Sequence, residues 1–301
     1  MDIRYRILQE TFGYTSFRPG QLRLIDAILS KRDALGILPT GAGKSLCYQL
    51  PALLLPGLTL VLSPLISLMN DQVIALQRAG IPACCLHSAT SREDYIQSMQ
   101  LIHEGRCKLI YIAPERLTNA GFLQQLPISL VVVDEAHCIS QWGHDFRPNY
   151  RRIPTVIETL SPRPIVAAFT ATATIRVRRD IAACLHLQQP EQVVTSFDRP
   201  NLYFDVLHAD DKDAALLRFV KQQSAFPGIV YCATRKAAEH TARLLTENGI
   251  ATLAYHAGMS AEARSESQTA FLHDQISVLC ATNAFGMGIN KPNVRFVLHY
   301  Q

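Results

Sequence analysis

The sequence lacks the features that mark a zinc protein, a disulfide-rich protein or a disordered one. Its eight cysteines are scattered and form no Cys-x-x-Cys pair, so we expect reduced thiols and no zinc. It has no low-complexity linker and no short repeat, and 18% of its residues are charged against 48% hydrophobic ones. This composition excludes a disordered chain and is typical of a well-packed α/β protein.

Charge is absent from residues 45–70, a stretch long enough to span a bilayer. Pro51, Pro56 and Pro64 interrupt this stretch, so it predicts a helix, a turn, a buried strand and a second helix instead of a membrane span. The net charge of the chain is only +4, so any basic groove must come from local placement of Lys and Arg. No secretory signal is recognisable, which predicts a cytoplasmic protein.

Apolar runs rich in Val, Ile and Leu alternate with amphipathic stretches, as in an alternating β/α chain. The first series predicts strands at residues 34–38, 59–62, 83–86, 109–112, 130–134 and 165–169, and then a helix at 175–185. The pattern loosens at residues 197–201. A second series predicts strands at 228–232, 252–255, 277–281 and 294–299, with helices at 214–223, 236–248 and 261–273. We therefore expect two α/β domains with mainly parallel sheets, at residues 1–205 and 206–301.

A glycine-rich loop lies between the first predicted strand and a helix. Its residues are Pro39, Thr40, Gly41, Ala42, Gly43, Lys44 and Ser45. In such a loop the backbone N–H groups and the helix N-terminus face an anion, the lysine reaches the outer phosphates, and the Ser45 hydroxyl takes a place on Mg²⁺. Leu38 stands where the strict pattern has glycine, so a glycine-rich helix start with a surface lysine is the alternative.

Asp134 and Glu135 follow the apolar run 130–133, which predicts a buried strand. Two carboxylates at the end of such a strand are where a nucleotide hydrolase holds Mg²⁺ and orients water. We expect Asp134 to hold Mg²⁺ through water, and Glu135 to orient or deprotonate the attacking water. A solvated acidic turn is the alternative for this pair alone.

Aromatic and basic residues follow the acidic pair within a few positions. Trp142, the only tryptophan, precedes His144, Phe146 and Arg147. Aromatic rings and guanidinium groups are suited to stacking on bases, so the loop predicts a nucleic-acid contact. An ordinary core or interface position for Trp142 is the alternative. Nucleotide hydrolysis and base contact on one short segment indicate a motor.

The order and spacing of these motifs resemble the superfamily 2 helicases, and specifically the RecQ family of DNA helicases. Residues 134–137 (DEAH) match motif II, which adds His137 to the expected catalytic residues. Residues 139–150 resemble the aromatic-rich loop of that family. Residues 17–21 (FRPGQ) resemble its adenine-reading motif, which implies nucleotide contacts by Phe17, Arg18 and Gln21. A plain helix start is the alternative for that motif.

The resemblance covers nearly the whole chain and implies further residues for DNA contact and for coupling hydrolysis to movement. In the first half these are Ser63 and Pro64 of motif Ia, and Thr170 and Thr172 of motif III. Thr170 and Thr172 are also ordinary β-branched residues for a strand end. In the second half the implied residues are Thr234 and Arg235 of motif IV, His256 of the next motif, and Thr282, Gly286 and Gly288 of motif V.

The family implies two stacked RecA-like domains with ATP in the cleft between them. It also implies ATP-driven 3′-to-5′ movement along single-stranded DNA, with duplex unwinding in DNA repair and recombination. The implied cofactors are ATP and Mg²⁺. The implied partners are single-stranded and partly duplex DNA and a single-strand-binding protein, at the nucleoid if the source is bacterial. Two alternatives stay open, an RNA remodeller of the same superfamily and a non-catalytic fragment that binds nucleotide or a partner.

One motif of the family is missing from the sequence. Motif VI, which carries an arginine finger, would follow the last predicted strand, and the sequence ends before it at Gln301. We therefore expect an incomplete second domain. Because an arginine finger contributes about three to five orders of magnitude to turnover in other P-loop enzymes, we expect this chain to bind nucleotide and hydrolyse it weakly.

Overall fold

The computed structural model describes residues 2–88, 90–119, 121–143, 145–196, 201–285 and 291–301. The chain forms two compact units, Met1–Pro200 and Asn201–Gln301. Most of the predicted domain junction, residues 197–200, lies outside the described residues. Three residues that the family resemblance assigned to DNA contact also lie outside them, namely His144, Gly286 and Gly288.

The first unit is built on a seven-stranded sheet in which neighbouring strands are parallel. Its strands are β1 Ala34–Ile37, β2 Leu58–Leu62, β3 Ala83–Leu86, β4 Leu109–Ile112, β5 Ile128–Val133, β6 Ile165–Thr170 and β7 Glu191–Val194. Their order across the sheet is β3-β4-β2-β5-β6-β1-β7. The sequence predicted the first six. It missed the edge strand β7, which buries one residue of its four and so has no continuous apolar run.

Helices connect these strands. They are α1 Ile3–Glu10, α2 Gln21–Leu29, α3 Leu46–Leu54, α4 Ile66–Arg78, α5 Arg92–His103, α6 Ile153–Thr159 and α7 Ile175–Cys184. The uncharged segment 45–70 divides into α3, β2 and the start of α4, because Pro56 and Gly57 separate the first helix from the strand. Over the described residues, no helix is both long and apolar enough to cross a membrane.

The core of the first unit lies on both faces of its sheet. In β5, Val131 and Val133 pack into one buried cluster, and Leu130 and Val132 pack into another. Successive side chains of a strand point to opposite faces, so a strand covered on both faces needs an uninterrupted apolar run. The run that predicted this strand therefore has a direct packing reason.

A buried carboxylate joins three segments at the amino ends of the strands of this sheet. Asp33, immediately before β1, is nearly inaccessible to solvent. It pairs with Arg163 (Oδ2 to Nη2, 2.7 Å) and accepts the backbone N–H groups of Val166 at 2.9 Å and Gln188 at 2.7 Å. These bonds compensate the charge of the buried Asp33 carboxylate. They also hold the start of β1 beside the start of β6.

The second unit has a four-stranded parallel sheet. Its strands are β8 Gly228–Cys232, β9 Thr252–Tyr255, β10 Val278–Ala281 and β11 Phe296–Tyr300, in the order β11-β8-β10-β9. Its helices are α8 Lys212–Gln222, α9 Arg235–Glu247 and α10 Ala261–Leu272. Asp211, Thr234 and Ser260 cap these helices by accepting backbone N–H groups of the first turn. Both units thus confirm the predicted α/β class with parallel sheets.

Candidate active site

Four of the predicted motifs meet at one edge of the first sheet. The order β2-β5-β6-β1 places the carboxyl ends of these strands side by side. Ser63 follows β2, Asp134 follows β5, Thr170 ends β6, and the glycine-rich loop follows β1. In open parallel sheets, ligands bind beyond the carboxyl ends of the strands, so this edge is the candidate site.

The glycine-rich loop is held from behind by the segment that precedes α2. Gly41 and Gly43 adopt positive φ angles of 80° and 77°, which glycine tolerates without strain. The Gln21 side-chain amide donates to the carbonyl oxygens of Ala42 at 3.2 Å and Gly43 at 3.0 Å, and Arg18 donates to that of Gly41. A Cβ on Gly43 would lie 2.5 Å from Gln21 Nε2, so a side chain there would displace the amide that holds the loop, and the positive φ favours glycine.

Both polar atoms of the Gln21 side-chain amide therefore have hydrogen-bond partners. Gln21 is buried, and its Oε1 accepts the backbone N–H of Arg18 at 2.8 Å. Phe17 is half-buried and packs edge-on against Tyr5, with ring centroids 5.0 Å apart. The structure places this motif against the loop that would receive phosphates, and an adenine contact by Gln21 stays a prediction.

Lys44 and Asp134 lie close enough for their charges to interact. Burial, and to a smaller extent the charge of Glu135, raise the pKa of the Asp134 carboxyl to about 6, against the lowering effect of the positive charge of Lys44. The Asp134 main chain is fixed, since its carbonyl accepts the Tyr150 hydroxyl at 2.9 Å. The other predicted loop residues, Pro39, Thr40 and Ser45, lie in the same connection between β1 and α3.

Glu135, His137 and Thr170 form a contiguous chain of polar contacts. Glu135 adopts a left-handed backbone (φ 46°, ψ 46°), and its Oε2 lies 3.3 Å from His137 Nδ1. That nitrogen is 2.8 Å from Thr170 Oγ1. Because the Thr170 hydroxyl donates to the Thr172 carbonyl oxygen at 3.1 Å, His137 Nδ1 is the donor to Thr170. The acidic motif and the end of β6 are thereby linked.

The loop after His137 continues these contacts outward. The Cys138 sulfur lies 3.7 Å from His137 Nε2 and 3.8 Å from Asp145 Oδ2, and these three ligand-type atoms lie within 4.8 Å of one another. Burial raises the pKa of the Cys138 thiol to about 12. Asp145 also pairs with Arg147 at 3.0 Å. Polar contacts therefore connect His137 through Cys138 to Asp145 and Arg147.

Two aromatic residues of this loop, Trp142 and Phe146, face solvent or a basic side chain, whereas Tyr150 is buried. Trp142 is 58% exposed, and Phe146 lies under Arg151, whose Cζ is 5.3 Å from the ring centroid. Arg147 donates to the Pro64 carbonyl oxygen at 3.0 Å, so the loop is tied to the segment after β2. Ser63 is 1% exposed, and its hydroxyl has no hydrogen-bond partner among the described residues. In this structure the Ser63 side chain, which the family resemblance assigns to DNA contact, is thus buried.

The predicted residues of the second unit also gather at strand ends. Thr234, His256 and Thr282 follow β8, β9 and β10, which are neighbours in the sheet. Thr234 caps α9, and Thr282 Oγ1 accepts the Ala284 backbone N–H at 3.4 Å. His256 is buried, with Nε2 3.0 Å from Glu239 Oε1. Exposed Arg235 packs on Gly258, where a Cβ would lie 2.9 Å from Nη1.

Comparison with known proteins identifies the family. The sequence model of the DEAD/DEAH box helicases matches residues 18–181, and that of the helicase conserved C-terminal domain matches residues 211–301. The chain is 47% identical over 299 residues to the ATP-dependent DNA helicase RecQ of Bacillus subtilis (strain 168), covering 98% of this chain and 51% of that protein. The chain belongs to the DEAD/DEAH box helicases and, within them, to the RecQ family.

Further relatives of this RecQ-family chain agree. It is 46% identical over 297 residues to the protein of the same name from Pasteurella multocida (strain Pm70), covering 98% of this chain and 47% of that one. The chain thus spans about half the length of the curated relatives that it matches. Of solved structures, Mss116p bound to ssRNA and AMP-PNP is similar with a TM-score of 0.74 at 17% identity, covering 100% of this chain and 67% of that one.

The Pyrococcus furiosus Hef helicase domain is also similar, with a TM-score of 0.63 at 16% identity, covering 99% of this chain and 91% of that one. At this identity the two solved structures establish the fold alone. They confirm that the units of the RecQ-family chain are RecA-like domains.

Sequence reasoning missed several residues that shape the site. Tyr150 anchors Asp134, and a Cβ on Gly143 would lie 2.4 Å from the His137 carbonyl oxygen, so that position requires glycine. Arg151 and Arg176 lie over the rings of Phe146 and Trp142. The glycine within an aromatic-rich loop was a usable signal. The contact of Arg176 with Trp142 carried no sequence signal, because the two residues are far apart in the chain.

Proposed function

We propose that this chain is the core of an ATP-dependent DNA helicase, which couples ATP hydrolysis to 3′-to-5′ movement on single-stranded DNA and to duplex unwinding in repair and recombination. The observation that carries the proposal is the continuity of the site. The Lys44 charge acts on Asp134, and contacts from Glu135 through His137 reach both Thr170 and the loop that exposes Trp142. The relatives named above are DNA helicases.

The nucleotide would be held by the glycine-rich loop and the acidic pair. Backbone N–H groups of residues 41–45 and the start of α3 suit phosphate oxygens, and Lys44 suits the outer phosphates. Asp134 and the Ser45 hydroxyl are the residues that would hold Mg²⁺. The fit has a physical basis, because burial raises the Asp134 pKa to about 6 and a carboxylate so short of countercharge favours a divalent cation. Bound Mg²⁺ would neutralise charge that develops on the phosphates.

Glu135 is the proposed base for the attacking water. Its Oε2 lies 3.3 Å from Nδ1 of His137, and the hydrogen bond from that nitrogen to Thr170 holds the ring in place beside the carboxylate. A carboxylate in this position would take the proton of the water as the water oxygen bonds to the γ-phosphorus and the bond from that phosphorus to the bridging oxygen of ADP breaks. Because Thr170 and Thr172 share a hydroxyl–backbone bond, movement of this segment would alter the orientation of Glu135. This is the proposed connection between hydrolysis and grip on the strand.

Nucleic acid would contact residues at the edge of each unit. Trp142, Phe146 and Arg147 suit stacking on bases and pairing with phosphates, with Pro64 linked to Arg147. In the second unit the proposed contacts are Thr234, Arg235, His256 and Thr282. Gly286 and Gly288 of the second unit and His144 of the first are proposed from the sequence alone. Partly duplex DNA and a single-strand-binding protein, at the nucleoid in a bacterial source, complete the proposal for partners and place of action.

ATP hydrolysis by the chain, measured without nucleic acid and with single-stranded DNA or RNA of equal length, tests this function. We expect weak hydrolysis by this chain, and greater stimulation of that hydrolysis by DNA than by RNA. Trp142→Ala is expected to keep ATP binding and lose the stimulation, and Glu135→Gln to bind Mg·ATP without hydrolysing it. Stronger stimulation by RNA would favour an RNA remodeller, and ATP binding without any hydrolysis or stimulation would favour a non-catalytic fragment.

A further inference from the structure

The indole of Trp142 is covered on one face by a guanidinium group. Arg176 Cζ lies 3.3 Å from the centroid of the indole ring, a distance at which the two planar groups are in direct contact. The tryptophan is nevertheless 58% exposed, so much of the ring remains open to solvent. The contact therefore fixes the ring without enclosing it.

Arg176 is itself well placed to hold a ring still. It lies in the first turn of α7, which begins immediately after the cap Thr174, whose hydroxyl accepts the Val177 backbone N–H at 3.3 Å. Arg178 ties the same turn to the preceding segment by donating to the Ala173 carbonyl oxygen at 3.0 Å. The guanidinium thus extends from a helix start that is fixed on both sides, next to the segment that contains Thr170.

We propose that Arg176 is a positioning residue for nucleic-acid binding, which holds the Trp142 indole so that a base can stack on its open face. The inference rests on the proposed function, since it concerns how the helicase core meets its strand. A base that stacks on a mobile exposed ring must first immobilise it, and immobilising an interface side chain weakens binding. A ring already held by a cation–π contact avoids that loss.

A positioning role for Arg176 has different consequences from an ordinary contact between an arginine and a phosphate. A surface arginine that meets phosphate acts independently of Trp142 and loses its effect as salt rises. A positioning residue acts only through the ring that it holds. Arg179, exposed on the same helix, carries the same charge and is not in the stack, which makes Arg179→Ala the matched control.

The first experiment needs no nucleic acid. Because Trp142 is the only tryptophan, intrinsic emission reports on this ring alone. We expect Arg176→Ala to shift the emission and to increase quenching by acrylamide, whereas Arg179→Ala leaves both unchanged. Identical emission and quenching in Arg176→Ala and the unmodified chain would show that the arginine does not hold the ring, and would overturn the proposal.

The second experiment is a double-mutant cycle on binding of a fluorescein-labelled oligo-dT strand, followed by anisotropy. We expect Arg176→Ala to weaken binding by about two- to fivefold, the range of an exposed cation–π contact. In a Trp142→Ala background the same substitution is expected to have only the effect of Arg179→Ala. Loss of affinity that persists unchanged in that background would reveal a phosphate contact, and tighter binding by Arg176→Ala would reveal competition with the base. Either result overturns the proposal.

Different results refute the proposed function and the positioning role of Arg176. If the unmodified chain does not bind oligo-dT, the proposed function fails and this inference fails with it. If the unmodified chain binds and the cycle shows no dependence on Trp142, only the positioning role of Arg176 is refuted.

Discussion

At the residue scale, the site is defined by side chains held under electrostatic or steric constraint. Asp134 is a buried carboxylate beside another carboxylate, with the Lys44 charge as a partial counterweight. Gly43 has a positive φ angle, and a side chain there would displace the Gln21 amide. These residues are arranged for ligand binding and not for the stability of the free protein. Substitution at each position therefore has a definite expected effect.

Asp134→Asn is expected to stabilise the nucleotide-free, Mg²⁺-free protein at neutral pH by about 3 kcal/mol. The native carboxyl holds its proton up to a pH of about 6, whereas an ordinary Asp carboxyl has a pKa of 3.8. The native state therefore binds more protons within that window, and the free energy of unfolding falls as pH rises through it. Asp134→Asn has no titrating carboxyl at this position, so its free energy of unfolding does not fall in this way.

Urea unfolding followed by Trp142 emission, at pH 4 and at pH 7.5, measures this effect in the first unit. The stability advantage of the variant should grow with pH and level off above about pH 6. An advantage that is equal at both pH values would refute the raised pKa as its cause.

Gln21→Ala is expected to weaken ATP and GTP binding together, on the order of tenfold, because the amide supports the loop carbonyls and the backbone N–H of Arg18. Equilibrium titration with both nucleotides measures it. Gln77→Ala is the control, since Gln77 bonds a backbone carbonyl of the distant strand β3. A loss confined to ATP would instead support the adenine contact that the family resemblance implies.

At the element scale, strands were predictable and contacts between elements were not. Strands such as β5 are continuous apolar runs because both faces are buried. The edge strand β7 has one buried residue and gave no such run. The catalytic motifs were found because loop chemistry follows strand ends in sequence. The stack of Arg176 on Trp142 and the bonds of Gln21 to the loop depend on how distant segments pack, which periodicity does not encode.

Asp33 provides the test of how the first sheet is held. Asp33→Ala is expected to destabilise the first unit by about 3 kcal/mol, because it leaves part of Arg163 and two backbone N–H groups without their partner. Glu191→Ala removes a carboxylate paired with the exposed Arg23 and Arg32, and should cost less than about 1 kcal/mol. Urea unfolding of both variants checks this, and equal losses would contradict the structural role of Asp33.

At the scale of the whole molecule, two RecA-like units each place their predicted functional residues at the carboxyl ends of neighbouring parallel strands. The first unit contains the glycine-rich loop, the acidic motif and the aromatic loop. The second contains the described residues of motifs IV and V. Membership in the RecQ family was predictable from the order of these motifs, because their spacing reflects the strands that carry them. Strand polarity of movement stays a proposal at this scale.

The central claim is that Lys44 and Asp134 act on one bound Mg·ATP. The most direct test is the affinity of Mg·ATP, by isothermal titration calorimetry, for the unmodified chain, Lys44→Ala, Asp134→Ala and the double variant. We expect each single change to weaken binding by about tenfold or more, and the double variant to lose clearly less than the product of the two, because both groups meet the same ligand. Unchanged affinities, or losses that simply multiply, would contradict the account.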